Sequence, residues 1–493
     1  MIDELRLAWA QPATRRGTLG TALLFAGSLT PAYLPQNSPW WEPLRALGWD
    51  TWEARAVGTA LVVAGVGLLV HSWFALRPSY PVKLKYWAVG VFWALPLLFA
   101  PPVFSHDAYG YAAEGWLLHN DMNPYDFAVS TLPGPFADQV AWLWRYDTAM
   151  YPPLSLRIFH LAVLAGGLNP YYATLMLRIP ALAGVGLLAY FLPRLAKHSG
   201  ADVRRTCWFA TVNPVLLIDF IGGMHNDALM VGLIVFALWL AAALPDRFGG
   251  SKWRSAAAFL VPAVVVGVAA AVKQPAFLAA LAVALIGHGV ASLRWRDVWP
   301  GLCRIVGALA VSAATFAAIT EASGLGYGWV KAASVPGKVV TLAPVSLIGN
   351  GLRAGLAYLG QAEAGEIALQ ATQAVGLLVF AVFVVHCGLT VGRTQPVTFL
   401  SRSYLAFAFT GPAMHPWYLT WGGLLLPLSN PGPRTERAAI IFTAALTAYG
   451  AGNLAWRNEA LPLGFAALGL VGGLLWRHLS ENRSTAARQP GIE

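Results

Sequence analysis

The chain has 493 residues, of which 57% are hydrophobic and 11% charged, with a formal net charge of +10. Too little polar surface is available to wrap an interior core in water, so a soluble fold is excluded and lipid is the main solvent. The basic residues fall in short connections rather than in one block, which points to orientation in a membrane and away from a nucleic-acid partner.

Met1 to Gly17 mixes acidic and basic residues and leads into an apolar stretch without a small-residue cleavage site, so the first helix is expected to stay. A hydrocarbon layer takes about 20 apolar residues per helical crossing and tolerates no unpaired backbone, and the alternation of a barrel strand is absent. Apolar runs lie near 18–35, 56–76, 85–103, 171–193, 206–222, 227–244, 255–272, 275–293, 301–321, 367–390, 397–414, 416–429, 437–453 and 459–477. They predict an all-α polytopic fold with about 14 membrane helices, a single membrane domain over the whole chain, and interfacial helices on the outer face. No repeat of solenoid length and no duplicated half stands out.

Lys and Arg collect in every second connection: Arg15 and Arg16, Arg77 to Lys85, Arg194 to Arg205, Arg247 to Arg254, Arg294 and Arg296, Arg393 and Arg402, Arg434 and Arg437, and from Arg477 onward. These connections and both termini are therefore expected on the cytoplasmic side of the membrane. Pro152 to Gly167 is apolar but short, carries Arg157 and His160, and would reverse every later loop if it crossed, so it is placed as an interfacial helix on the outer side. Cys207, Cys303 and Cys387 fall near cytoplasmic helix ends, where thiols stay reduced and no disulfide framework is expected.

The other connections face outward. Gln36 to Arg55 carries Trp40, Trp41, Trp49 and Trp52, suited to lipid headgroups. Residues 104–151 form the most polar loop, and 323–366 a second outer segment with Trp329, Lys331 and Lys338. Four polar clusters share this side: His106-Asp107, His225-Asn226-Asp227, Lys273-Gln274 and His415-Pro416-Trp417-Tyr418. Ionisable groups at membrane depth are costly and sit in protein-lined cavities, so their convergence predicts a polar site open to the outside.

Each cluster has a plain alternative. Asp107 opens a short helical stretch and serves either as its N-cap or as a general base at a cavity rim. His225, Asn226 and Asp227 form a polar helix turn or bind substrate; His415, Trp417, Tyr418 and Trp421 are interfacial residues or ligand contacts. Lys273 interrupts an apolar hairpin, and snorkelling is its only inert explanation. Arg178 is expected to pair with a loop carboxylate, Glu114 and Asp121 to be solvated, and Asp219 to hydrogen-bond within the bundle. Phosphate-loop, dinucleotide, zinc-binding and serine-hydrolase motifs are absent. Gly324-Leu-Gly-Tyr-Gly is expected to be a flexible outer loop.

The loop opening His106-Asp107-Ala108-Tyr109-Gly110-Tyr111 resembles the GT-C glycosyltransferases that use lipid-phosphate sugars. Gly222-Gly223-Met224-His225-Asn226-Asp227-Ala228-Leu229-Met230, Lys273-Gln274-Pro275 and His415-Pro416-Trp417-Tyr418-Leu419-Thr420-Trp421-Gly422 resemble the polyprenol-phosphate-mannose-dependent α-1,6-mannosyltransferases that build lipomannan in mycobacteria and corynebacteria. The resemblance implies inverting transfer of mannose from polyprenyl-phosphate-mannose to a lipid-anchored mannan acceptor on the extracytoplasmic side, with Asp107 as base. Many relatives carry two adjacent acidic residues where this chain has His106 beside Asp107, so neither a metal nor another cofactor is expected.

Chemistry asks for the same parts. A lipid phosphate is already a good leaving group, so the site needs a carboxylate for the acceptor proton and cations for the phosphate. Lys273, His225, His415 and Lys331 are the expected phosphate contacts. His106, Tyr109, Tyr111, Asn226, Asp227, Gln274, Trp417 and Tyr418 are the expected substrate contacts. The competing readings are a transporter or flippase of a lipid-linked sugar, and a GT-C enzyme with arabinose as the sugar or a protein as acceptor.

Overall fold

The computed structural model describes residues 1–78, 84–247, 252–290, 292–332 and 341–487; Lys338 lies outside them. Among the described residues the secondary structure is helical throughout. Eight of the described helices are long and apolar enough to cross a membrane: Trp52–Ala75, Pro170–His198, Asp227–Pro245, Ser255–Val272, Trp295–Ser323, Ala362–Gly392, Pro433–Arg457 and Leu461–Ser480.

The other apolar runs are helical too, but shorter or broken, and local chemistry accounts for the breaks. Pro96 cannot donate to the helix Tyr86–Ala94 and turns it into the tight turn Pro96–Phe99. Asn213 precedes Pro214 and uses its side-chain oxygen to accept the N–H groups of Val215 and Leu216. Helix Val203–Thr211 therefore stops, and the chain resumes as the wide turn Leu216–Gly222. The run near 416–429 consists of two pieces, Tyr418–Gly423 and Leu426–Ser429, with Pro427 in the first turn of the second.

The helices sort their termini into two ends. At one, Glu436 accepts from both Arg77 and Arg205, and Arg77 also meets His478. At the other end of the same helix, Pro433–Arg457, the Arg457 guanidinium reaches His106, and the neighbouring Asn458 amide donates to Thr30 and Thr59. The rise from Glu436 to Arg457 along this helix places these two levels about 32 Å apart. Arg77, Arg205 and His478 thus lie opposite the level of His106, as their alternation along the chain requires.

A second, smaller apolar cluster holds the polar outer loop together. Tyr111 stacks on Phe159 and Trp116 on Phe136. The segment 152–167 belongs here: helix Pro153–Ala165 has 13 residues, about 20 Å, too short for a crossing. The glycine loop 324–328 is docked rather than loose. Asn123 donates to the Leu325 carbonyl, and a side chain at Gly328 would lie 2.3 Å from Tyr125.

Candidate active site

Asp107 begins the helix Asp107–His119 but does not cap it. Its N–H donates to the Ser105 hydroxyl at 3.1 Å, so the serine satisfies the helix start and the aspartate side chain stays available. The carboxylate keeps 23% of its surface exposed and lies 3.7 Å from Nδ1 of the fully buried His225, a contact longer than a hydrogen bond. The Tyr111 hydroxyl, one helical turn on, lies 3.5 Å from the same nitrogen.

His225 is presented by a strained turn. Met224 adopts φ 57°, the left-handed region that a bulky side chain enters at a cost, and its side chain is pinned in the smaller cluster. Lys273 reaches the site because the helix Lys252–Val272 ends there: Lys273 is extended, and Pro275 starts a new turn. Its ammonium donates to Asp227 at 2.7 Å and faces the Tyr418 ring at 5.0 Å. The other Asp227 oxygen accepts the Trp421 indole N–H at 2.7 Å. Trp417 stacks on both His225 and His415, with centroids 3.7 and 4.6 Å apart.

Two cavities meet at Asp107. The smaller is lined by Asp107, Tyr111, Glu114, Tyr151, Lys273 and Tyr418. The larger is lined by His106, Asp107, Asp219, His415, Trp417 and Arg457. Asp107, Trp144 and His415 border both.

Burial sets the protonation of these groups. It pushes the Asp107 carboxyl up to about 6, with the Lys273 charge pulling the other way. Glu114 is pushed up to about 8, first by burial and then by the Asp107 charge. Burial, followed by the nearby Lys273, brings His415 down to about 4 and holds His225 well below the usual imidazole range. His106 falls to about 4 through burial and then Arg457. All three imidazoles are therefore neutral at pH 7, and none supplies a positive charge.

The structure brings together Asp107, His106, Tyr111, His225, Lys273, His415, Trp417 and Tyr418. It corrects several expectations. Tyr109 lines neither cavity; it is 1% exposed, and its hydroxyl donates to the Tyr33 carbonyl. Asn226, Asp227 and Gln274 stand behind the cavity walls, with the Asn226 amide near Ser155 and the Gln274 amide donating to the Met150 carbonyl. Lys331 is exposed at the end of a turn in the second outer segment and borders neither cavity.

Among the described residues Arg178 pairs with no carboxylate. It is 3% exposed and donates to the carbonyls of Leu98, Ala100, Ile221 and Gly222. Glu114 is not solvated: one carboxylate oxygen is enclosed without a partner. The spacing of Asp107, Tyr111 and Glu114 by four and then three residues places them on one helix face, a signal that was open to sequence reading. Arg457 carries no such local signal.

Residues 14–289 match the family model described as "Alpha-(1->6)-mannopyranosyltransferase, N-terminal domain". The chain belongs to this family. Residues 345–453 match the MptB C-terminal domain, so this mannosyltransferase carries Asp107, His225 and Lys273 in the first matched region and His415 to Tyr418 in the second. It is 28% identical to alpha-(1->6)-mannopyranosyltransferase A of Mycobacterium tuberculosis, covering 88% of this chain and 83% of that one. Similarity to the probable alpha-(1->6)-mannopyranosyltransferase of Mycolicibacterium smegmatis is 29% identity over 89% and 83% of the two chains. For alpha-(1->6)-mannopyranosyltransferase B of Corynebacterium glutamicum it is 25% over 97% and 83%.

Proposed function

We propose that this mannosyltransferase moves mannose from polyprenyl-phosphate-mannose to the 6-hydroxyl of a lipid-anchored mannan, with inversion, at the extracytoplasmic face of a bacterial plasma membrane. The bond between the anomeric carbon and the phosphate oxygen breaks while the acceptor oxygen attacks from the opposite side. Asp107 takes the acceptor's proton, the lipid phosphate leaves with the electron pair, and the reaction calls for no metal or other cofactor. The observation that carries this reading is the Asp107 carboxylate on the wall shared by two cavities, where a donor on one side and an acceptor on the other share one base. The segregation of Arg77, Arg205 and His478 to the opposite end supports the outward orientation of the site.

The test is a membrane assay with labelled polyprenyl-phosphate-mannose and a synthetic dimannoside. The wild type is expected to yield an α-1,6-linked product, and Asp107→Asn to lose at least about a hundredfold in rate while folding normally. Near-normal turnover by Asp107→Asn would remove Asp107 from its role. Orientation is read separately: Tyr146, 76% exposed in the outer loop, is replaced by Cys in a cysteine-free background. A membrane-impermeant maleimide should label it on intact cells; labelling from the cytoplasmic side alone would invert the topology.

A further inference from the structure

Four residues were expected to meet the donor phosphate, and the structure leaves none as a net cation beside Asp107. Lys273 is neutralised by Asp227 at 2.7 Å, His225 and His415 are enclosed among aromatic rings, and Lys331 lies outside both cavities. The larger cavity is bordered by the Asp107 carboxylate. The anionic phosphodiester of the donor enters beside that charge only where a cation outweighs it locally.

Arg457 is that cation. It lines the larger cavity as the last residue of helix Pro433–Arg457, where the helix carbonyl end favours positive charge. Its guanidinium lies 3.1 Å from the His106 Nδ1 atom and 5.8 Å from the Tyr33 ring centre, and the His106 ring stacks on Tyr33 at 4.9 Å. The guanidinium is therefore held in place, with further donors for a planar, two-oxygen contact to phosphate.

A third cavity continues from this one. It shares Val215, Pro416 and Leu446 with the larger cavity and is lined chiefly by apolar side chains including Phe209, Leu405, Phe409 and Phe442. It runs beside helix Pro433–Arg457 from Leu446 to Thr435, about 16 Å, toward the end opposite Arg457. A lipid whose phosphate sits at Arg457 thus has an apolar path for its chain in the direction a membrane lipid takes.

We propose that the larger cavity and this groove form the donor subsite, with Arg457 holding the lipid phosphate and the groove taking the first isoprene units. The smaller aromatic cavity beyond Asp107 is left for the acceptor. The proposal rests on the lipid-phosphate-sugar donor assigned above.

The experiment measures transfer from long-chain polyprenyl-phosphate-mannose and from a short two-isoprene analogue, with a dimannoside acceptor. Arg457→Ala and Arg457→Gln are expected to raise the donor KM at least tenfold with the acceptor KM unchanged, and Arg457→Lys to recover part of the loss. Ala439→Trp, which fills the groove, is expected to lower long-chain relative to short-chain use at least tenfold. A wild type that uses neither donor would overturn the functional reading itself. An active wild type with unchanged donor KM in the Arg457 variants, or no chain-length selectivity in Ala439→Trp, would overturn the subsite alone.

Discussion

The Lys273 ammonium lies 2.7 Å from one oxygen of Asp227, while the other Asp227 oxygen accepts from Trp421 at 2.7 Å. This buried pair ties the start of the helix Asp227–Arg247 to the break after Val272 and to the segment 415–421. It therefore acts as a joint between three parts of the site. Truncating one partner of such a pair strands the other charge, at a cost of about 3–5 kcal/mol, whereas removing both charges together is far milder. Lys273→Met and Asp227→Asn are each expected to lower the thermal unfolding temperature in detergent sharply, and the double variant to recover most of it. Additive losses in the double variant would mean that the two groups are not coupled.

Asp107 acts as a base only when ionised, and burial has moved its carboxyl up to about 6. As pH falls below this value the protonated fraction grows, so kcat/KM is expected to drop about tenfold per pH unit, and to be flat just above it. Asp107→Asn should cost a factor of about 10²–10⁴, the usual contribution of a positioned base. A rate that holds level down to pH 4 would show that the proton goes elsewhere.

Glu114 faces the same smaller cavity and is pushed up to about 8, so at pH 7 it is a neutral acid able to donate a hydrogen bond. Glu114→Gln preserves donor capacity and charge state and is expected to change turnover less than about threefold at pH 7. Above pH 8 the wild-type carboxyl ionises and places a second negative charge beside Asp107, so activity should decline there. The glutamine variant should lose that alkaline decline; if it persists, another group is titrating.

Much of this arrangement is legible in the sequence because membrane physics writes it there. Apolar runs announce helices, and alternating basic connections sort their ends, so the polar clusters around His106, His225, Lys273 and His415 land on one level. What escapes is set by partners that sequence does not display. Arg178 bonds only to backbone carbonyls, which every residue carries. Lys273 is cancelled by Asp227, 46 positions away, so a motif residue that reads as a phosphate cation contributes no net charge. Arg457 reaches His106 across 351 positions, and nothing near it in the chain marks it. The breaks at Pro96 and Pro214 were visible as residues, but an apolar window averages over them.

Helix packing feeds the same site. Gly184 sits against the backbone of the helix that starts at Asp227, where an added Cβ would lie 2.1 Å from the Ala228 carbonyl oxygen. Backbone cannot rotate aside as a side chain does, so Gly184→Ala must push the two helices apart. Overpacking of this kind costs about 1–3 kcal/mol. A lower unfolding temperature is expected, together with weaker turnover as Asp227 and Lys273 shift. Gly186 in the same helix has open space beside it, and Gly186→Ala should keep turnover and hold or raise the unfolding temperature, because alanine is the better helix former. An equal loss of stability in the two variants would show that the contact at Gly184 is not its cause.

Arg178 is expected to act on the reaction without touching substrate. Its four carbonyl partners belong to the chain just before Asp107 and just before His225, so one guanidinium fixes the two segments that deliver the carboxylate and the imidazole to each other. A lysine has one ammonium in place of a planar fork and cannot bridge both segments at once. Arg178→Lys should therefore lower kcat by at least tenfold with donor and acceptor KM little changed. The acid limb of its pH profile should also move, because the Asp107 surroundings loosen. A purely structural role predicts a lower unfolding temperature with kcat and the pH profile intact, and that result would remove Arg178 from the positioning of Asp107.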